Sequence, residues 1–199
     1  MPTVVIMKPS LPISWFDFAI VPAHDAVPPT DRIFCTQGAM DTITRMPTHQ
    51  AETGRGLMLI GGDSEHFIWD TELVLNQIQK LCMAYPQTQW LLTDSRRTPQ
   101  QTQAALSRLL PQQVNFISHR QTDANWIETE LNRCEQVWVT PDSVSMVFEA
   151  ITANRPVGLF SLTAQKTSRI QNGLSELINR KRLKTINTMH LELPTQEPI

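Results

Sequence analysis

The stretch from residue 140 to residue 150 contains polar side chains whose types and spacing can bind a phosphate and a ribose at the start of a helix. Apolar side chains recur at i, i+3, i+4 and i+7 from Val144, which leaves Ser145 and Glu149 one turn apart on a flank of the helix. Hydroxyls and unpaired amides at a helix start bind phosphate oxygens, and a carboxylate one turn later can accept both hydroxyls of a ribose. The alternative is a serine that caps the helix and a glutamate that faces solvent. The residues predicted to bind the nucleotide here are Asp142, Ser143, Ser145 and Glu149.

Paired glycines, Gly61 and Gly62, follow a strongly apolar run, and Ser64 comes shortly after them. Glycines at such a place let the backbone approach a phosphate, and the serine hydroxyl adds a donor near a helix start. A turn that needs a positive φ explains the glycines equally well. The run matches neither the P-loop nor the GxGxxG fingerprint.

Two arginines, Arg96 and Arg97, stand directly before a predicted helix start. We expect Thr98 to cap that helix, Pro99 to take its first position and Gln101 to close a capping box. Two guanidinium groups beside exposed helix amides can bind a diphosphate or a carboxylate. Solvated surface arginines fit the same spacing.

A histidine and a carboxylate, His24 and Asp25, directly follow a predicted strand. At a strand end this pair could supply a catalytic base, and a surface histidine beside an Asx turn is the alternative. No Asp-x-Asp pair and no spaced ligand set accompanies His66, His119 or His190, so the sequence predicts no metal site.

The elements that must position these loops alternate short β-branched runs with amphipathic stretches after residue 56, which is typical of βαβ units around a parallel sheet. Ligands of such sheets bind beyond the carboxyl ends of the strands, where the loops of residues 61–66, 94–97 and 140–145 would lie. The strands are predicted at 57–60, 89–93, 114–118, 137–140 and 157–162, and the helices near 74–85, 98–109, 124–133, 144–151 and 168–182.

The first 55 residues differ, because three strand-like runs at 4–7, 16–21 and 32–36 are joined by short links rich in proline. Parallel neighbours usually need crossovers of about a dozen residues or more. Either the links are irregular, or the segment is the last part of a larger sheet. We therefore expect a partial N-terminal Rossmann-like segment over 1–55, a Rossmann-like nucleotide-binding domain with helices on both faces of its sheet over 56–184, and a tail over 185–199.

Composition narrows the class of protein. The 199 residues are 41% hydrophobic and 18% charged with a net charge of -2, which is typical of a globular domain and argues against nucleic-acid binding. Cys35, Cys82 and Cys134 form no CxxC pair, so neither a disulfide framework nor a zinc site is predicted. With no secretory signal and no apolar run long enough for a membrane span, the cytoplasm is the expected compartment.

Three stretches carry a resemblance to a known family, and Ser95-Arg96-Arg97-Thr98-Pro99 is among their most specific runs. The sequence resembles the elongated-mitochondria fission family from about residue 16 to residue 184. The plant member of that family recruits the dynamin-like fission machinery. The stretches are residues 59–69, 93–99 and 139–150, joined by residues 16–25 and 36–39.

The resemblance implies a glycosyltransferase-B-like architecture, in which two Rossmann-like domains face each other and a nucleotide-sugar site lies mainly on the C-terminal one. It carries Ser143, Ser145 and Glu149 over as nucleotide contacts. Such enzymes use no metal or cofactor, because helix dipoles and basic side chains, here Arg96 and Arg97, stabilise the leaving diphosphate. The nucleotide sugar is the substrate.

The sequence departs from the family pattern at three places. Members usually begin with a fuller N-terminal domain, so this chain looks shortened there. Their glycine loop reads Gly-Gly-Pro-Ser-Lys, whereas Asp63 and Glu65 place two acids in this one, which would repel a diphosphate. The family's Asn-Pro-Tyr appears as Asn125-Trp126-Ile127 and its Gly-Lys-Pro as Asn154-Arg155-Pro156.

Two functions are consistent with the sequence. The first is a nucleotide-sugar-binding protein of glycosyltransferase-B type, with an unidentified acceptor. The second is a non-catalytic interaction module that keeps the fold. An unpaired strand edge in the N-terminal segment predicts a homodimer or an aggregation-prone monomer. The basic run Arg180-Lys181-Arg182 fits contact with a membrane surface or a solvated helix end.

Overall fold

A computed structural model of the chain describes residues 1–22, 25, 27–36, 43, 51–165 and 169–188. Within these residues lie a three-stranded parallel sheet before residue 37 and a six-stranded parallel sheet after residue 54. A two-stranded antiparallel pair and five α-helices complete the described structure. The α/β class with a parallel sheet flanked by helices, as predicted from the sequence, is confirmed.

The small sheet consists of β1 (Val4–Ile6), β2 (Phe18–Pro22) and β3 (Ile33–Thr36), in that spatial order and all parallel. The link between β1 and β2 is irregular, as one of the two alternatives predicted. The first link contains a single 3₁₀ turn, Ile13–Trp15, in place of a crossover helix. The buried apolar residues of the described part of this sheet are Ala19, Val21 and Pro22, all on β2.

The large sheet consists of β4 (Arg55–Leu59), β6 (Gln89–Thr93), β7 (Val114–Ile117), β8 (Gln136–Val139), β9 (Val157–Leu159) and β11 (Lys184–Thr185). Their spatial order is β11-β9-β8-β4-β6-β7, with every pairing parallel. The chain runs outward from the central β4 through β6 to β7, then returns to β8 on the other side of β4 and continues outward. This reversal between β4 and β8 is the topological switch point at which open α/β sheets bind ligands.

Five helices flank this sheet. The connections from β4 to β6 and from β6 to β7 move toward one edge of the sheet, whereas the connection from β8 to β9 moves toward the other edge. Because such crossovers are right-handed, the helices of the first two connections lie on one face and the helix of the third lies on the opposite face. Asp70 caps the first of them by accepting the N–H of Leu73, and its buried side includes Ile78 and Leu81. The helices are α1 (Thr71–Ala84), α2 (Gln100–Leu106), α3 (Trp126–Arg133), α4 (Val144–Thr152) and α5 (Arg169–Asn179).

The short pair β5 (Phe67–Ile68) and β10 (Thr163–Ala164) joins two loops that follow strands of the large sheet. Helix α5 ends at Asn179, three residues before the end predicted from the sequence. Lys184 and Thr185 then pair with β9, and Ile186 is buried, so the sheet continues one residue past the boundary predicted at residue 184.

The predicted capping box at Thr98 is wrong. The residue at the cap position of α2 is Pro99, which offers no side-chain bond, and the helix begins at Gln100. The Thr98 hydroxyl is buried and donates to the carbonyl of Gly61 instead. This threonine therefore stabilises the contact between two loops rather than the start of a helix.

Asn154 takes a left-handed conformation, with φ of 59°, just after α4. Glycine is the usual residue at that place and asparagine is the next best tolerated. Asn154 can therefore stand with little strain where the family that the sequence resembles has a glycine. The following Arg155 is buried and donates to the carbonyls of Leu131 and Asn132 at the end of α3.

Candidate functional site

The loops after β4, β6 and β8 meet at the carboxyl edge of the large sheet, as predicted from their positions in the sequence. Asp142 lies at the centre of this meeting point with a fully buried side chain. Its Oδ2 accepts the N–H of Gly62 at 2.9 Å and Nη2 of Arg97 at 2.8 Å. One carboxylate therefore joins all three loops.

Two opposing effects act on the pKa of the Asp142 carboxyl group. Burial raises its pKa above the usual value, because the charged form loses hydration. Hydrogen bonds from Gly62 and Thr140 and the positive charge of Arg97 act in the opposite direction without cancelling it. Ionisation of Asp142 is thus less favourable in the folded protein than in the unfolded chain.

Close approach explains the two glycines, and the alternative of a positive φ is wrong, since Gly54 is the glycine with positive φ among the described residues. A Cβ on Gly61 would lie 2.1 Å from Oδ2 of Asp142, and one on Gly62 would lie 2.0 Å from the carbonyl oxygen of Arg97. Both backbone N–H groups have protein acceptors, at Oγ1 of Thr140 for Gly61 and at Asp142 for Gly62. The loop thus packs closely against a side chain at Gly61 and against the backbone of another loop at Gly62.

Arg97 also fastens the glycine loop. Its Nη1 donates to the carbonyl of Asp63 at 2.7 Å, and the Asp63 N–H donates to the carbonyl of Arg97 at 3.1 Å. The Arg97 side chain is still 41% exposed, and Arg96 is exposed. Ser64 accepts the N–H of Phe67 within its own loop. Both guanidinium groups therefore remain within reach of a ligand at this edge.

The start of α4 differs from the glycine loop in how its serine side chain is used. Ser143 occupies the cap position, yet its side chain makes no capping hydrogen bond, so the alternative of a capping serine is not observed. Ser145 is exposed, Glu149 is partly buried one turn later, and Val147 and Ile151 face the core. The flank predicted from the sequence is present, and its role in binding a nucleotide stays a prediction.

The predicted base lies largely outside the described chain. His24 is not among the described residues, and Asp25 is described as partly buried beyond the end of β2.

Among the residues that the structure describes, no three histidine, cysteine or acidic side chains form a group that could hold a metal ion. Arg180, in the basic run, forms an ion pair with Glu176.

One polar pair at the same edge was missed by the sequence analysis. Asp94, directly after β6, accepts both the N–H and Nδ1 of His119, at 2.6 and 2.8 Å. The Asp94 side chain is fully buried, and the His119 side chain is 20% exposed. The available signal was that β6 and β7 are successive strands, whose following residues meet if the strands pair in parallel.

The sequence profile of the family described as Mitochondrial fission ELM1 matches residues 1–198. A search of curated proteins gave no match. Within the described part of the chain, no helix combines the length and the apolar character that a membrane crossing requires.

Among solved structures, the chain is similar to a Listeria monocytogenes protein assigned as a UDP-N-acetylglucosamine 2-epimerase, with a TM-score of 0.54 and 14% identity over 86% of this chain and 47% of that one. It also resembles the kitacinnamycin glycotransferase, with a TM-score of 0.49 and 12% identity over 88% of this chain and 44% of that one. UGT2 of Phytolacca americana, solved with UDP-2-fluoroglucose and pterostilbene, gives a TM-score of 0.47 and 12% identity over 85% and 39%. The chain therefore spans less than half the length of these proteins, and its likeness to the Listeria protein is a likeness of fold.

Proposed function

Because the chain belongs to the Mitochondrial fission ELM1 family and has this fold, we propose that it binds a nucleoside diphosphate sugar at the start of α4 and transfers the sugar without a metal ion. The observation that carries the proposal is the position of α4. It begins at the carboxyl end of β8, beside the switch point, with the Ser143 hydroxyl not engaged in capping.

Under this proposal each part of the nucleotide has a partner on or near α4. The first amides of α4, with the hydroxyls of Ser143 and Ser145, would donate to phosphate oxygens at the positive end of the helix dipole. Glu149, one turn later on the same flank, would accept the ribose hydroxyls. Arg96 and Arg97 would add positive charge near the diphosphate.

The glycine loop plays a supporting part in this proposal. The N–H groups of Gly61 and Gly62 already donate to Thr140 and Asp142, so the diphosphate would rest on the start of α4 rather than in the loop. The loop would then shape the floor of the site. In this arrangement Gly61, Gly62 and Ser64 would lie near the diphosphate without binding it directly.

Transfer would proceed by direct displacement at the anomeric carbon of the sugar. The dipole of α4 and the arginines would stabilise the charge that develops on the departing diphosphate. His24 and Asp25 remain the base predicted from the sequence on the N-terminal side. The acceptor would be a hydroxyl compound.

The proposal is tested by calorimetric titration of UDP, because the name of the Listeria protein specifies a UDP sugar. Ser143→Ala together with Ser145→Ala should weaken binding at least tenfold, since hydrogen bonds to charged groups contribute about 1.5–3 kcal/mol each. Ser175→Ala, an exposed serine on α5, is the matched control and should bind as the wild type does. Absence of binding to UDP and to the other common nucleoside diphosphates would contradict the proposal.

A second candidate is an interaction module without catalysis. The occupied amides of Gly61 and Gly62 favour it, together with the exposed acids Asp63 and Glu65 beside them. A protein partner captured equally by the wild type and by Glu149→Ala would support this function. Loss of the partner in Glu149→Ala would count against it.

A further inference from the structure

We propose that Asp94 and His119 form an acid–base dyad in which His119 is the general base that deprotonates the acceptor. The proposal rests on the proposed function, because it assigns a group to the transfer step. It places the base on the large sheet, in the same domain as the nucleotide site, rather than at His24.

The hydrogen bonding orients the imidazole. An ionised carboxylate only accepts hydrogen bonds, so the 2.8 Å contact with Asp94 requires the proton of the neutral ring to be on Nδ1. The backbone N–H of His119 binds the same oxygen at 2.6 Å, which holds the residue as well as the ring. This arrangement leaves Nε2, on a side chain that is 20% exposed, for a partner outside the described residues.

Burial of Asp94 supports a functional role. Its side chain is fully buried, and its Oδ2 has no hydrogen-bond partner among the described residues. A neutral side chain could accept the N–H of His119 without the penalty of burying a charge. A buried carboxylate with one unused oxygen is instead suited to stabilising the imidazolium that forms when His119 takes a proton.

The position of the dyad matches the direction in which a nucleotide sugar would extend. His119 follows β7, which lies three strands from β8, or about 14 Å at ~4.8 Å between strands. With its diphosphate on the start of α4, a nucleotide sugar that extends across the ends of β4 and β6 would bring its sugar toward β7. The turn after Asp94 contacts the glycine loop through Thr98, whose hydroxyl accepts the N–H of Ser95 at 2.9 Å and donates to Gly61.

The proposed step is balanced within the ligands named. The acceptor hydroxyl forms a bond to the anomeric carbon as the bond from that carbon to the diphosphate oxygen breaks. The electron pair of the broken bond leaves on the nucleoside diphosphate, and the acceptor proton moves to Nε2 of His119. Water can take the place of the acceptor and gives hydrolysis of the nucleotide sugar.

The test separates binding from turnover in the full chain. UDP binding is measured by calorimetry, and UDP release is measured from UDP-N-acetylglucosamine with glycerol or water as the acceptor. His119→Asn and Asp94→Asn should bind UDP within twofold of the wild type and release UDP at least a hundredfold more slowly, in line with the usual contribution of a general base. Imidazole should restore part of the rate to His119→Gly, which it would not do for a merely structural histidine.

The comparison variants are His24→Asn, which removes the competing base, and Asn115→Ala, an exposed residue on β7 that should have the wild-type rate. Slow release in His24→Asn with a normal rate in His119→Asn would overturn the dyad. Binding of UDP without any UDP release by the wild type would also overturn it and leave the nucleotide site standing. Failure of the wild type to bind UDP would contradict the proposed function itself.

Discussion

The small and large sheets are both built from apolar parallel strands, but these strands are buried in the large sheet and largely exposed in the small one. In the large sheet every residue of β8 is buried, and the apolar core forms one cluster between Leu57 and Ile186. In the small sheet, Val4, Ile6 and Phe34 are each more than half exposed. Parallel strands need cover on both faces, which helices provide for the large sheet only, among the described residues.

The exposed residues of the small sheet form one apolar face. Val4 pairs with Phe18, and Ile20 pairs with both Ile6 and Phe34, so these five side chains point to the same side. The rings of Phe18 and Phe34 lie 6.3 Å apart between centroids. Both sheets pair apolar strands in parallel, but among the described residues the small sheet leaves one apolar face exposed.

The largest effect should come from opening the core of the large sheet. Trp138 is fully buried on β8 and packs against Phe160, so Trp138→Ala should lower the free energy of unfolding by about 3–5 kcal/mol. The matched change Phe34→Ala removes a side chain that is already 53% exposed and should cost much less. Urea unfolding of both variants measures the contrast, and equal losses would remove it.

A smaller effect concerns the carboxylate that joins the three loops. The pKa of Asp142 is raised on folding, so the unfolded chain ionises it first and stability falls as pH rises from its ordinary value of 3.8 through the raised value. Asp142→Asn lacks this contribution. The free energy of unfolding of the wild type relative to Asp142→Asn should therefore decrease from pH 3.5 to pH 7, as followed by urea unfolding. An increase would show that the bond to Arg97 outweighs burial.

The apolar face of the small sheet should promote self-association. Contiguous exposed apolar surface of this kind typically marks an interaction site. Sedimentation velocity should show a species that grows with protein concentration, and Phe18→Ser with Phe34→Ser should shift it toward the monomer. A monomer at every concentration would contradict this expectation.

The smallest expected effects on the free energy of unfolding come from two residues with positive φ, one beside each sheet. Met7 beside the small sheet and Asn154 beside the large one have φ of 74° and 59°. Met7→Gly should raise the free energy of unfolding by about 1 kcal/mol and Asn154→Gly by less, because asparagine tolerates this conformation better than methionine does. Thermal unfolding measures both. A loss of stability in Met7→Gly would argue against the left-handed turn after β1.

The large sheet could be predicted from the sequence because buried parallel strands are continuous apolar runs, as at β4 and β8, and because α4 repeats its apolar residues with helical spacing. The misassignment of Thr98 has a physical cause. A threonine before proline suits a helix cap, but here its hydroxyl finds a buried carbonyl on another loop. The pairing of Asp94 with His119 depends on how β6 and β7 align, which residue spacing does not determine.

The central claim is that a nucleotide binds at the start of α4 on the large sheet. The most direct measurement is an NMR titration of the ¹⁵N-labelled protein with UDP, followed through the backbone amides. The largest shifts should occur at Val144, Ser145 and Met146, with none in β1 to β3. Unchanged amides at α4 with UDP in excess, or shifts confined to the small sheet, would contradict the claim.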